Sequence, residues 1–291
     1  MTVSSESKRI KQFRLGIAKA IPKFPNDAKT LAILEAKSLG SLLIDYVNWA
    51  YRRIPPRPRK VTIEPTLTVD PRWKALAADT KALLERVRNG EDINPNLSLK
   101  AFYNGFTPAS SSAATPADKW EDKDFFLTTT GYHHLHLSAL IEAKGYAKRT
   151  DVVLFAQVTR DNFNAIGLFD HTVFESADAS TKTMTAERER LWGIYEYRNS
   201  FGREPGKVYI SNPIATSGHS IFSVRLAGDY ARIVDSVDQK IDDLSSRLEL
   251  FKDLPYEKVS AKTLEWNLNY LDLGLHDKKS SVFYVLRYGP I

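Results

Sequence analysis

The sequence predicts an α+β fold, a helical N-terminal region followed by a mainly antiparallel sheet with packed helices, and three observations carry that expectation. Residues 27–52 place Leu31, Leu34, Leu42, Tyr46 and Trp49 largely three, four or eight positions apart, the period of an amphipathic helix. Residues 152–169 hold two apolar runs, VVLFAQV and FNAIGLF, separated by the polar tetrapeptide TRDN, which reads as an antiparallel hairpin. Farther on, Tyr230, Ile233, Val237, Ile241, Leu244 and Leu248 return to helical spacing, with an acidic back at Asp235, Asp238, Asp242 and Asp243.

In chain order, residues 27–52 contain no proline and predict one long helix. Asp70-Pro71, a side-chain cap followed by proline at a first helical position, starts a second helix that runs through Leu76, Leu83, Leu84 and Val87 to Gly90. TPASSSAATPADK (107–119) is small, polar and proline-flanked, the composition of a linker. The expected organisation is therefore a basic helical region over 1–106, a linker over 107–119 and an α+β domain over 120–291. Both hairpin strands are apolar on both faces, so they belong in the middle of a covered sheet. Another helix is expected over 185–199, and KVYI (207–210), SIFSVRL (220–226) and SVFYVLR (281–287) read as further strands.

Composition excludes several functions. The chain has no cysteine, which removes disulfides, thiolate metal sites and cysteine nucleophiles. No apolar run reaches the roughly 18 residues of a membrane span, and charges precede any apolar stretch that could serve as a secretion signal. The expected setting is cytoplasmic. No glycine-rich dinucleotide or nucleoside triphosphate loop occurs, so no cofactor is expected.

The net charge of +6 is unevenly placed: residues 1–60 carry 13 Lys or Arg against 4 acids, and the remainder is slightly acidic. YRRIPPRPRK concentrates Arg52, Arg53, Arg57, Arg59 and Lys60 with no acid, on a backbone that three prolines hold extended. Such cations should project into solvent and attract a polyanion, so these five are the expected nucleic-acid contacts. A solvated linker or a proline-rich ligand for a partner domain fits the same residues.

Four of the six histidines fall between residues 133 and 171. In GYHHLHLS (131–138), strand alternation sends Tyr132, His134, His136 and Ser138 to one face and His133, Leu135 and Leu137 to the other. Two imidazoles on one face can serve as base and acid in phosphodiester cleavage if one ring is neutral and the other protonated near pH 7. The candidate catalytic set is His134 and His136 as that pair, Arg149 as phosphate clamp and His171 as auxiliary. A His-x-His pair could instead ligate a metal with Asp170, His171 or Glu175, and histidines on a strand are also commonly plain structural residues. Thr216-Ser217-Gly218-His219-Ser220 combines hydroxyls, glycine and histidine without the G-x-S-x-G pattern of a nucleophile elbow, and reads as a turn before a strand.

The order of the HHLHLS strand, a segment through Lys144, Tyr146 and Arg149, and the hairpin VVLFAQVTRDNFNAIGLFDH resembles the sheet of RelE and HigB-type ribonuclease toxins over residues 125–171. The resemblance implies RNA cleavage, with Arg149 matching a phosphate-binding arginine and His171 the polar residue that ends the last hairpin strand. This chain is longer than such toxins, and its histidine strand is not one of their signatures. The leading expectation is a toxin- or defence-type endoribonuclease that acts on RNA and has a neutralising protein partner. The alternatives are a noncatalytic nucleic-acid-binding or assembly protein and a metal-dependent hydrolase.

Overall fold

The structure, a computed structural model, describes residues 6–109, 122–175, 183–202, 204, 206, 212–252 and 259–291. The chain forms an α+β fold with a four-stranded mixed sheet and a three-stranded antiparallel sheet. It divides into two compact units, each assembled from separated segments: residues 1–51, 102–123 and 215–290 form one, and 52–101 and 124–214 with residue 291 form the other. This division differs from the sequential one that composition suggests, because both units draw chain from either side of residues 107–119. Of that expected linker, residues 110–119 lie outside the described residues.

The first unit contains α1 (Lys8–Ala20), α2 (Ala28–Glu35), α3 (Leu39–Ala50), α9 (Ile221–Ile241) and α10 (Leu244–Leu250). Its sheet has the order β5 (Leu264–Asn269), β6 (Asp272–Asp277), β7 (Val282–Arg287). The helix expected over 27–52 is two helices. Ser38 turns its side chain back to accept the Ser41 amide at 3.3 Å, capping a new helix where the periodicity alone would have continued the old one. SIFSVRL is helical rather than extended. Ser220 is the N-cap of α9 and accepts the Ser223 amide at 3.1 Å, and buried Leu226, Ala227, Tyr230, Val234 and Ile241 carry one apolar stripe from it. In that window a seven-residue alternation and a helix start are indistinguishable. The stripe packs along α3, and buried Asp238 ties Trp266 Nε1 (2.8 Å) and Arg9 Nε (2.9 Å) together.

The second unit contains β1 (Lys60–Ile63), α4 (Pro65–Thr68), α5 (Trp73–Asn89), α7 (Phe125–Thr130), β2 (Tyr132–His136), β3 (Val152–Val158), β4 (Asn162–Asp170) and α8 (Ala186–Ser200). The short α6 (Lys100–Tyr103) lies where the chain passes from this unit to the first. Strand order is β1-β4-β3-β2, with β1 parallel to β4 and the other pairs antiparallel. β3 and β4 form the expected hairpin and occupy the centre, where Val153, Leu154, Phe155, Phe163, Ile166, Leu168 and Phe169 are completely buried. Helix α5 begins at Trp73 rather than at Pro71. Asp70 Oδ1 accepts the Arg72 amide at 2.9 Å and so holds the turn before the helix, while Gly90 ends it in the left-handed conformation at φ 74°. KVYI lies outside the described residues.

The proline-rich strip is not a free arm. Its end forms β1, the Arg59 amide donates to Val87 O at 3.3 Å, and a Cβ on Gly90 would fall 2.5 Å from Pro58 Cδ, so the strip packs directly on the end of α5. Arg52 and Arg59 are buried, against the expectation that every cation of this strip projects outward. Arg59 donates to the carbonyls of Pro55 (2.9 Å) and Thr159 (2.9 Å), a use of guanidinium donors that satisfies backbone and leaves little for phosphate. Lys60 is exposed, and Arg53 and Arg57 are half-buried.

Candidate functional site

Register brings the histidines together. On the face that carries Tyr132, His134 stands opposite Phe155 and His136 opposite Val153, and Val153 in turn pairs with Phe169 of β4. Two residues beyond Phe169 the chain enters a 3-10 turn at His171–Phe174, which delivers His171 beside His136 with ring centroids 5.7 Å apart and planes 29° from parallel. His134 lies against Phe174 (4.9 Å) and Phe155 (5.8 Å). His133 points to the other face and is buried. The face of His134 and His136 is no open strand surface either: it continues the core of Phe126, Tyr132, Phe155, Phe169, Leu191 and Tyr195. His136 is only 2% exposed, and the His134 side chain 13%.

The turn that holds His171 is itself pinned. Asp170 Oδ1 accepts the Thr172 amide at 2.9 Å, Thr185 donates to Thr172 O at 2.9 Å, and Glu187 on α8 accepts the Asp170 amide at 3.2 Å. At the end of β2, fully buried Asn96 donates to the carbonyls of His136 (2.7 Å) and Ser138 (3.1 Å). Both ends of the cluster are therefore set by hydrogen bonds, that from Asn96 to His136 O being buried, which favours one rotamer set over several.

One residue, Thr150, decides the tautomers. Its amide donates to His136 Nδ1 at 3.1 Å, so that nitrogen carries a lone pair and the proton of the neutral ring sits on Nε2. Its carbonyl accepts from His171 Nε2 at 2.9 Å, so Nε2 bears a proton and the lone pair of the neutral ring is at Nδ1. The Thr150 hydroxyl donates to Val152 O at 2.6 Å. As neutral rings, His136 thus presents an N–H at Nε2 and His171 a lone pair at Nδ1. His136 Nε2, His171 Nδ1 and His134 Nε2 have no hydrogen-bond partner among the described residues. Unlike His134 Nδ1, none of the three is a buried atom lacking a partner.

Electrostatics corrects the expected pairing. Burial drives the His134 imidazole below its usual value; Asp124, whose Oδ2 lies 3.8 Å from His134 Nδ1, opposes that shift, and Arg52 and Arg149 reinforce it. His136 is pushed down to about 4, first by burial and then by Arg149, His134 and His171. In the free protein neither ring is protonated at neutral pH, so the two are not a resting acid and base. Arg149 is exposed, close enough to lower both imidazoles, and among the described residues no carboxylate pairs with it.

The structure gathers His134, His136, Arg149 and His171 around β2 and the 3-10 turn, each in different surroundings. The sequence reading missed Thr150, Asn96, Asp124 and Phe174; Thr150, adjacent to Arg149 and just ahead of a strand, was the one with a positional signal. No group of three or more His, Asp or Glu among the described residues is arranged to hold a metal ion. Asp170, one of the two carboxylates considered for such a shell, spends Oδ1 on the Thr172 amide and hydroxyl. No helix among the described residues is long and apolar enough to cross a membrane. No family model matches the chain, and neither the curated proteins nor the solved structures contain a match to it.

Proposed function

We propose that this protein is an endoribonuclease of toxin or defence character that cleaves RNA at the cluster of His134, His136, Arg149 and His171. The observation that carries this reading is the pair of bonds from Thr150, which leave an N–H on His136 beside a lone pair on His171. His171 Nδ1 takes the proton of a 2′-hydroxyl, and O2′ adds to phosphorus while the bond to O5′ breaks. The N–H of His136 and the guanidinium of Arg149 hold the phosphoryl oxygens as charge builds on them. His134 then gives the leaving O5′ its proton, since it is the ring whose cation has a carboxylate, Asp124, for a counterion.

His136 is unsuited to act as that acid. A second proton on it would have to sit on Nδ1, facing the amide N–H of Thr150. A bound phosphodiester raises the proton affinity of His134 by adding negative charge to the site. The depressed value of His134 in the free protein makes kcat/KM fall as pH rises past the acid side of the usual histidine range of about 6.5. A nuclease of this kind needs a neutralising protein partner in the cell that makes it.

The test is incubation of purified protein and its variants with end-labelled RNA, with and without a chelator. His171→Asn and His134→Asn should each lower the cleavage rate at least a hundredfold, Arg149→Gln at least tenfold, and chelator should change nothing. Full cleavage by the two histidine variants would end the proposal.

A noncatalytic nucleic-acid-binding role has one observation in its favour. Burial lowers the pKa of Arg59 to about 10, and Arg57 and Arg160 stand close enough to add to that shift while Asp161 opposes it, so several cations gather near exposed Lys60. On that reading, charge reversal at Arg53, Arg57 and Lys60 abolishes RNA retention while the histidine variants keep all activity.

A further inference from the structure

The first unit contains a second constellation, which no part of the RNA reading uses. His219 Nδ1 lies 3.0 Å from the Ser217 hydroxyl, and its Nε2 lies 3.6 Å from Asp45 Oδ1. Asp45, on α3, is 4% exposed, His219 is 8% exposed, and Ser217 is exposed to solvent. The sequence puts serine and histidine on either side of Gly218 in a tight turn, and the φ of +80° there favours glycine. Two backbone bonds of 2.8 Å lock that turn, Gly218 N–H to Ala215 O and Ala215 N–H to His219 O. The other oxygen of Asp45 is held by Lys37 Nζ at 2.6 Å, and Lys37 rests on the Phe106 ring at 4.2 Å, so the carboxylate has one orientation.

We propose that Ser217, His219 and Asp45 form a nucleophilic site that hydrolyses carboxylic esters. The connectivity of carboxylate, imidazole and hydroxyl is that of a catalytic triad, with the two ring nitrogens exchanged. A buried carboxylate at one nitrogen stabilises the imidazolium that forms when the other takes the serine proton. An oxyanion needs N–H donors, and α9 opens immediately after His219. Ser220 Oγ takes the Ser223 amide, while the amides of Ile221 and Phe222 are first-turn donors with no partner inside the helix. Beside them Phe222 packs on Tyr51 with ring centroids 5.1 Å apart, an apolar wall for the acyl group.

The chemistry closes in two steps. Ser217 Oγ adds to the ester carbonyl carbon as its proton passes to His219 Nδ1. The bond from that carbon to the alcohol oxygen breaks, and the alcohol leaves with the proton from His219. Water then gives a proton to the same nitrogen and adds to the acyl carbon, which releases the carboxylic acid and restores the serine.

The experiment treats the full chain with a fluorophosphonate, which loses fluoride to an activated serine, and locates the adduct by peptide mass. The expected result is one adduct on Ser217, absent in Ser217→Ala and formed at least tenfold more slowly in His219→Gln, with p-nitrophenyl acetate hydrolysis lost in step. No adduct at Ser217, or an adduct that forms as fast in His219→Gln as in the wild type, overturns the proposal. RNA cleavage is measured on the same samples and should be unchanged in Ser217→Ala.

Discussion

His136 shows how a single buried ring can be tuned by its surroundings. Water is nearly excluded from it, and Arg149, His134 and His171 add to the effect of burial, so its proton affinity drops to about 4. The unfolded chain protonates this ring near its ordinary value of about 6.5. Stability is therefore complete above that pH and is lost as pH falls from about 6.5 towards about 4, where the folded form also takes the proton. With partial solvent screening allowed for, the loss is on the order of 2 kcal/mol. Urea unfolding of the wild type at pH 7 and pH 4.5 should show this difference, and His136→Asn should be much less sensitive over the same interval. Equal sensitivity in the two proteins would mean that another group titrates.

The placement of the histidines was the most legible part of the candidate site. Alternation along GYHHLHLS correctly set His134 and His136 on one face, and Arg149 and His171 were singled out from their positions around the hairpin. The burial of that face was hidden, because the covering residues, Phe174 and the 3-10 turn that carries it, come from the far end of β4. Their contact with β2 exists only through the register of the central strand.

At the level of elements, agreement followed the length of the periodic signal. The hairpin of β3 and β4, helix α8 and the end of α5 at Gly90 all had strong local markers. The missed pieces had weak ones. The pair β5 and β6 turns through Tyr270 at φ 52°, with no glycine or asparagine-glycine to announce a hairpin. Ser38 and Ser220 act as caps in windows whose apolar spacing suggested, respectively, an uninterrupted helix and a strand. Proline content misled most plainly at YRRIPPRPRK, where stiffness was read as projection although the strip docks on α5 and enters the sheet. Gly90 tests that docking. Gly90→Ala combines a left-handed backbone with a Cβ that collides with Pro58, so it should destabilise the protein by about 2 kcal/mol or more, seen as a lower midpoint in thermal or urea unfolding. A neutral substitution would show that the strip can lift away from the helix end without loss.

The whole molecule is woven rather than strung. α9 of the first unit packs along α3, about 180 residues earlier in the chain, and β1 pairs with β4 across about 100 residues. Cutting the chain at residue 120 separates these partners and exposes the apolar stripe of α9 and an edge of the mixed sheet. The fragment 120–291 should therefore lack a cooperative unfolding transition by circular dichroism, whereas a fragment that unfolds as sharply as the full chain would favour the sequential division read from composition. The sequence concealed this arrangement because composition varies along the chain, while the units are defined by contacts between distant segments.

The central claim is that the imidazole cluster uses the 2′-hydroxyl of RNA as its nucleophile. The most direct measurement gives the full chain one oligonucleotide in two forms, all-ribose and all-2′-deoxy, and identifies the products by mass. The account predicts cleavage of the ribose form alone, with a 2′,3′-cyclic phosphate on one product and a 5′-hydroxyl on the other, both lost in His171→Asn. Cleavage of the two forms at equal rates, or products ending in a 5′-phosphate, would contradict it.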